Sequence, residues 1–140
     1  MKQSRILISA VIFLGLLVGL FALSGCSSSS QVAVEIAYRN HPPVQAVLVD
    51  VDKLLVDYGE KVKVTRYDVD TPEGAAFLKS KNLTGSTVLA IFIDGSVAYQ
   101  KGDQQVQFMS FPVGKGTAMT EAGNWILDDL DAALAIAANK

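Results

Sequence analysis

The chain has 140 residues, 12 basic and 14 acidic, with one histidine, one cysteine and half of its residues apolar. That composition excludes disorder and a multi-span membrane protein, and a single thiol excludes an internal disulfide, a Cys-based zinc site and a two-thiol redox centre. Lys2 and Arg5 are the only charges before Cys26, so the rest holds 10 bases against 14 acids, and the lack of any basic block argues against a nucleic-acid partner.

Residues 6–23 are apolar apart from Ser9, Gly15 and Gly19, and end in Leu23-Ser24-Gly25-Cys26. A positive flank, an apolar stretch and small residues before a cut are the parts of an export signal. The last four residues resemble the lipobox of bacterial lipoproteins, whose cysteine is acylated and becomes the first residue of the mature chain. That resemblance implies cleavage between Gly25 and Cys26, loss of residues 1–25, and a covalent lipid such as palmitate on Cys26, with no other cofactor and no metal. A membrane-spanning anchor is the competing reading, since a largely apolar stretch of eighteen residues lies at the lower edge of bilayer length. Both readings leave Lys2 and Arg5 on the cytoplasmic side and the rest outside it. The expected location is the outer leaflet of the plasma membrane, or an outer membrane if there are two, towards which Ser27 after the cysteine points by the family's sorting habit. Residues 26–31 read as the lipidated cysteine and a serine-rich tether, and residues 32–140 as one domain.

Within that domain Val32, Val34, Ile36 and Tyr38 alternate, with Ala33 and Ala37 between them, which predicts a strand covered on both faces. Val44, Val47, Leu48, Val51, Leu54, Leu55 and Tyr58 then recur at steps of three and four between Pro43 and Gly59, as in a helix. Val47, Val49 and Val51 alone also fit a strand, but the stretch is too long for one. Residues 61–69 alternate through Val62 and Val64 as a second strand. Asp70-Thr71-Pro72-Glu73 offers a cap, a first-turn proline and an early acid for a short helix through Ala75, Phe77 and Leu78. Residues 88–93 are a continuous apolar run, Asp94-Gly95 suits a tight hairpin, and residues 97–99 read as the return strand. Residues 106–111 predict a further edge strand stopped by Pro112. Ile126, Leu127, Leu130, Leu134 and Ala137 share a helical face, with Thr120 and Glu121 at its start and Lys140 at its end. Trp125 is expected in the core, and Phe108 and Phe111 over a sheet edge or against the last helix. The order predicts an α/β domain with a mixed four- to five-stranded sheet and helices on both faces.

This layout, above all residues 58–95, resembles the thioredoxin family: residues 64–70 its strand ending in an acidic turn, Thr71-Pro72-Glu73 its next helix start, and Phe92-Ile93-Asp94-Gly95 its hairpin. In that family two cysteines open the first long helix. Their place falls on His41-Pro42-Pro43-Val44, and the family's proline before the third strand falls on Thr87. Without sulfur at that helix N-terminus there is no thiolate to activate. The resemblance implies a thioredoxin-like, redox-inactive domain that is not an oxidoreductase. It would bind an extracytoplasmic protein or peptide on the surface of His41, Pro42, Pro43, Val44 and Thr87, or at a sheet edge, through backbone hydrogen bonds. Two alternatives stand beside it: an enzyme of a non-thiol class with His41 as general base, and a helper of an envelope thiol-redox system acting through a partner's cysteines.

Gly114-Lys115-Gly116-Thr117 has the amides and lysine of an anion loop without the spacing of the nucleotide-binding one, and reads as a plain loop. Asp50, Asp52 and Asp57, with Asp128, Asp129 and Asp131, lack the spacing of a calcium loop and read as solvated helix faces. His41 alone builds no transition-metal site. Residues 101–123 are longer than the family's usual connection to its final helix. Asn82-Leu83-Thr84 matches a glycosylation sequon, idle behind a bacterial lipobox.

Overall fold

The computed structural model describes residues 30–116 and 121–139. Gly25 and Cys26, the rest of the predicted export segment, Thr117, Thr120 and Lys140 lie outside the described residues.

β1 (Val32–Tyr38) is the middle strand of a three-stranded sheet. It runs parallel to β2 (Val62–Asp68), with Val32 opposite Val62 and Tyr38 opposite Asp68, and antiparallel to β3 (Leu89–Ile93), with Tyr38 opposite Leu89. Val32, Val34 and Ile36 on one face and Ala37 on the other are all buried, which only a strand covered on both sides allows. α1 (Pro42–Tyr58) lays Val44, Val47, Leu48, Val51 and Leu55 on the first face, beside Leu130, Ala133 and Leu134 of α3 (Leu127–Ala138). α2 (Pro72–Ser80) covers the second face. There Phe77 stacks on Tyr67 with ring centroids 3.9 Å apart and meets Phe92 edge-on at 5.6 Å. The helices therefore lie on both faces, as the order of the elements predicts.

The cap of α2 is also the predicted one. Thr71 Oγ1 accepts a hydrogen bond from the Gly74 amide at 3.1 Å, and Pro72 occupies the first turn, where no intrahelical donor is needed. Gly74 faces the end of β2 so closely that an added Cβ would overlap the Asp68 carbonyl. Only a residue without a side chain lets this helix dock there.

Beyond β3 the chain departs from the single sheet expected. The turn itself forms: Asp94 and Gly95 both have positive φ (48° and 83°), and Ile93 and Ser96 exchange backbone hydrogen bonds at 2.8 and 3.0 Å. The return strand does not continue along β3. Residues 98–107 leave to form a separate hairpin of β4 (Ala98–Lys101) and β5 (Gln104–Gln107), turned at Gly102. Residues 108–110 then come back to the β3 edge, with Ile91 N–H donating to Phe108 O and Ser110 N–H to Leu89 O, both at 2.9 Å. The position beside β3 is thus filled by two pieces of chain, stitched where Phe108 N–H donates to Val97 O at 2.9 Å. Instead of one sheet of four to five strands there are a three-stranded and a two-stranded sheet. Burial of Phe108, 1% exposed and perpendicular to the Trp125 ring at 5.7 Å, accounts for the return of the chain at that point.

The last helix also starts later than predicted. Glu121 lies outside it, and Ile126 is its N-cap. Residues 121–125 instead form an extended strap against residues 109–113: Gly123 N–H donates to Phe111 O at 2.6 Å, Val113 N–H to Trp125 O at 2.8 Å, and Trp125 Nε1 to Met109 O at 3.0 Å. Trp125 is fully buried, as expected of it, and Asp128 and Asp129 supply the negative first turn that suits the helix dipole.

Candidate functional site

Three connections meet at the carboxyl ends of the parallel strands β1 and β2, the position where open α/β sheets bind their ligands. Arg39, the first residue after β1, holds them together. Its guanidinium donates to Asp70 Oδ1 at 2.8 Å in the turn before α2, and to the Gly85 carbonyl in the loop before β3. Its own amide donates to Val88 O at 2.9 Å, which carries the β1–β3 register one step past Tyr38 and Leu89. Continuing that register sets Asn40 opposite Thr87, so the structure brings His41 and Thr87 to the same end of the sheet.

His41 is the N-cap of α1, with φ −139° and ψ 162°. Its amide donates to Arg39 O at 2.9 Å, and its carbonyl accepts from Val44 and Gln45, both at 3.0 Å. The imidazole makes no capping bond. Pro42 and Pro43 follow as exposed residues of the first helical turn, where their missing N–H groups leave nothing unsatisfied. Thr87 is half-buried, and its amide donates to Thr84 O at 3.1 Å in a turn.

Val44 does not belong to this surface. Its exposure is 0%, and it packs with Val34, Ile36 and the rest of the α1 core, because the helical period that begins at Pro42 turns its third residue inward. The surface is therefore His41, Pro42, Pro43 and Thr87, with Arg39 beneath it. Arg39 carries no local sequence signal beyond its place directly after a strand.

No protein-family model matches the chain, and no curated protein or solved structure does so either.

The remaining candidates fall elsewhere. Lys115 of the Gly114-Lys115-Gly116 loop donates to Asp50 Oδ2 at 3.2 Å, so its charge serves a contact with α1. The same hydrogen bond, ahead of the charge attraction, holds the Asp50 carboxyl below its ordinary range. Asp52 pairs with Arg66 of β2, and Asp131 accepts the Tyr58 hydroxyl proton at 2.6 Å. Asp129 corrects the expectation of a solvated face. It is 5% exposed, accepts from Lys101 Nζ at 2.6 Å and from the Ile126 amide at 3.1 Å, and so anchors the start of α3. Among the described residues no three His, Cys, Asp or Glu side chains gather as a metal ion would require, and no helix is long and apolar enough to cross a membrane.

A further concavity lies away from this surface. It is a groove of about 680 Å³ between α1 and the outer side of β2, lined by Asp52, Leu55, Val56 and Gly59 and by Val62, Val64 and Arg66. The two halves follow the two periods: steps of three and four on the helix, steps of two on the strand. Val56, 76% exposed, and Val64, 39% exposed, are the signal that was available, as apolar side chains among Asp57, Lys63 and Thr65.

Proposed function

We propose that the protein is a membrane-anchored extracytoplasmic lipoprotein, held by lipid on Cys26, whose thioredoxin-like, redox-inactive domain binds a protein or peptide at the His41–Thr87 end of its sheet. The fold reading is supported by the order of the main sheet, β2-β1-β3 with β2 parallel and β3 antiparallel to the centre, and by the helix that follows the tight turn and hairpin. The redox reading is supported by His41-Pro42-Pro43-Val44, which offers no sulfur where that family keeps it.

One observation carries the functional reading. β1 starts at Val32, six residues after Cys26, with Gln31 Nε2 donating to the Glu60 carbonyl at 2.7 Å beside the start of β1 and β2. His41 and Thr87 stand at the other end of β1, seven residues on, and at about 3.3 Å per residue the two ends are ~20 Å apart. A lipid on Cys26 would hold the start of β1 near the bilayer and turn the exposed prolines and His41 away from it. Two buried acyl chains, at about 0.8 kcal/mol per methylene, make such an anchor lasting.

The test is crosslinking in the native envelope with a photoreactive residue at Pro43, compared with one at Lys79 on α2. A discrete adduct from position 43 that is lost on His41→Ala supports the reading. An activity on a soluble substrate that vanishes with His41→Ala would replace binding with catalysis.

A further inference from the structure

We propose that the outer edge of β2 is a second binding site, for an extended peptide in which apolar residues alternate with acidic ones and which adds to the sheet as a fourth strand. The proposal stands on the β2 edge alone, independent of the anchor and of the His41 face.

β2 ends the main sheet, and among the described residues no strand pairs with its outer side. The direction of its backbone groups follows from one bond. Val69 N–H donates to Tyr38 O at 3.0 Å, so the odd-numbered residues of the strand point their amides and carbonyls at β1. Val62, Val64 and Arg66 therefore turn theirs outward, spaced as an incoming strand needs them. The side chains of these same three residues form the strand side of the groove, with Leu55 and Val56 of α1 as its other wall. An added strand would satisfy the outward groups and set every second side chain over that apolar floor, the arrangement of strand addition in peptide recognition. The Arg66–Asp52 ion pair marks one end and Gly59 the other, room for two or three alternate side chains.

Charge selects the occupant. On the face opposite the groove the edge carries Lys61 and Lys63 with no acid between them, while Arg66 on the groove side is paired with Asp52, and Glu60 and Asp68 flank the run. Lys61 and Lys63 are exposed. Lys63 and Thr65 point to the face opposite the groove, where an acid on the incoming strand lies within cross-strand reach of Lys63. In the antiparallel registers that set Lys63 opposite Lys63 or Lys61, a second copy of β2 would bring the same cations against one another, which disfavours self-pairing there.

The experiment uses the full chain in nanodiscs of neutral lipid and two labelled probes, Ser-Val-Glu-Val-Glu-Val-Ser and Ser-Val-Lys-Val-Lys-Val-Ser, read by fluorescence anisotropy. The acidic probe is expected to bind at least tenfold more tightly, to weaken as salt is raised, and to slow amide exchange at Val64 and Arg66. Val64→Pro removes one outward amide, a change edge strands tolerate, and should weaken the acidic probe about tenfold. Val56→Glu places an acid on the groove wall at an exposed helix position and should weaken it as well, which keeps the proposal testable if the proline variant does not fold. Equal binding of the two probes, or unchanged exchange at Val64 and Arg66, would overturn it. So would protection of those amides by concentration-dependent dimerisation alone, or by vesicles of anionic lipid without peptide. Neither variant touches His41 or Thr87, so an adduct at position 43 that survives both separates failure here from failure there.

Discussion

The Lys101 ammonium donates to Asp129 Oδ1 at 2.6 Å across 28 residues of sequence, and so pins the β4–β5 hairpin to the first turn of α3. Asp129 is nearly buried, and its other oxygen accepts from the Ile126 amide, so one carboxylate serves as cap and as hairpin clasp. Asp129→Ala removes both, and loss of the cap alone is expected to lower stability by about 1 kcal/mol in urea titration. The hydrogen bond to Asp129, more than the charge, raises the Lys101 pKa above its ordinary 10.5. The stabilisation is therefore fully present below that value and fades as pH rises through the higher folded one. Lys101→Met should abolish that alkaline dependence.

Tyr58 gives a second alkaline signature. Burial first, and then the hydrogen bond to Asp131, push its hydroxyl up to about 12 from 10.0. Between those values the unfolded chain loses the phenolic proton while the folded one keeps it, so stability falls as pH rises through that window and is unaffected below it. Tyr58→Phe should flatten this fall in a pH series of melting temperatures. At neutral pH it should cost about 1 kcal/mol for the lost hydrogen bond.

Gly74→Ala tests the docking of α2. Alanine is ordinarily the better helix residue, yet here its methyl would overlap the Asp68 carbonyl. We expect destabilisation of about 2 kcal/mol or more by chemical denaturation, with the sign opposite to helix propensity. A neutral or stabilising result would mean that α2 sits farther from β2.

Arg39→Ala releases the turn before α2 and the loop before β3 together, since the guanidinium bonds to Asp70 and to the Gly85 carbonyl. Amide exchange should quicken at Thr87 and Val88 while the core amides of β1 keep their protection. The Asp70 contact is half-exposed, so a global loss of no more than about 1 kcal/mol is expected.

Local patterns made much of this fold legible, and tertiary competition hid the rest. β1 and α1 follow from strict periods, and the Thr71 cap and the Asp94-Gly95 turn from residue chemistry that needs no partner. Residues 97–99 and 106–111 both alternate, and the Asp94-Gly95 turn points to the first as the strand along β3, whereas residues 108–110 take most of that edge. The buried Phe108 and its contact with Trp125 decide it. Thr120 and Glu121 have the look of a helix start, but the docking of Gly123 and Trp125 on residues 109–113 holds that stretch extended. At the candidate site His41, Pro42, Pro43 and Thr87 were readable by position along the chain. Val44 stands next to that surface in the tetrapeptide but turns inward with the helical period, and Arg39 gives no local signal because its bonds reach 31 and 46 residues away.

The proposal of an anchored, outward-facing module is tested most directly by the intact mass of the protein extracted from its native envelope. The account predicts a chain that begins at Cys26 and carries the mass of two or more acyl groups. A chain that begins at Met1, or one whose Cys26 is an unmodified thiol exchanging disulfides with another protein, would contradict it.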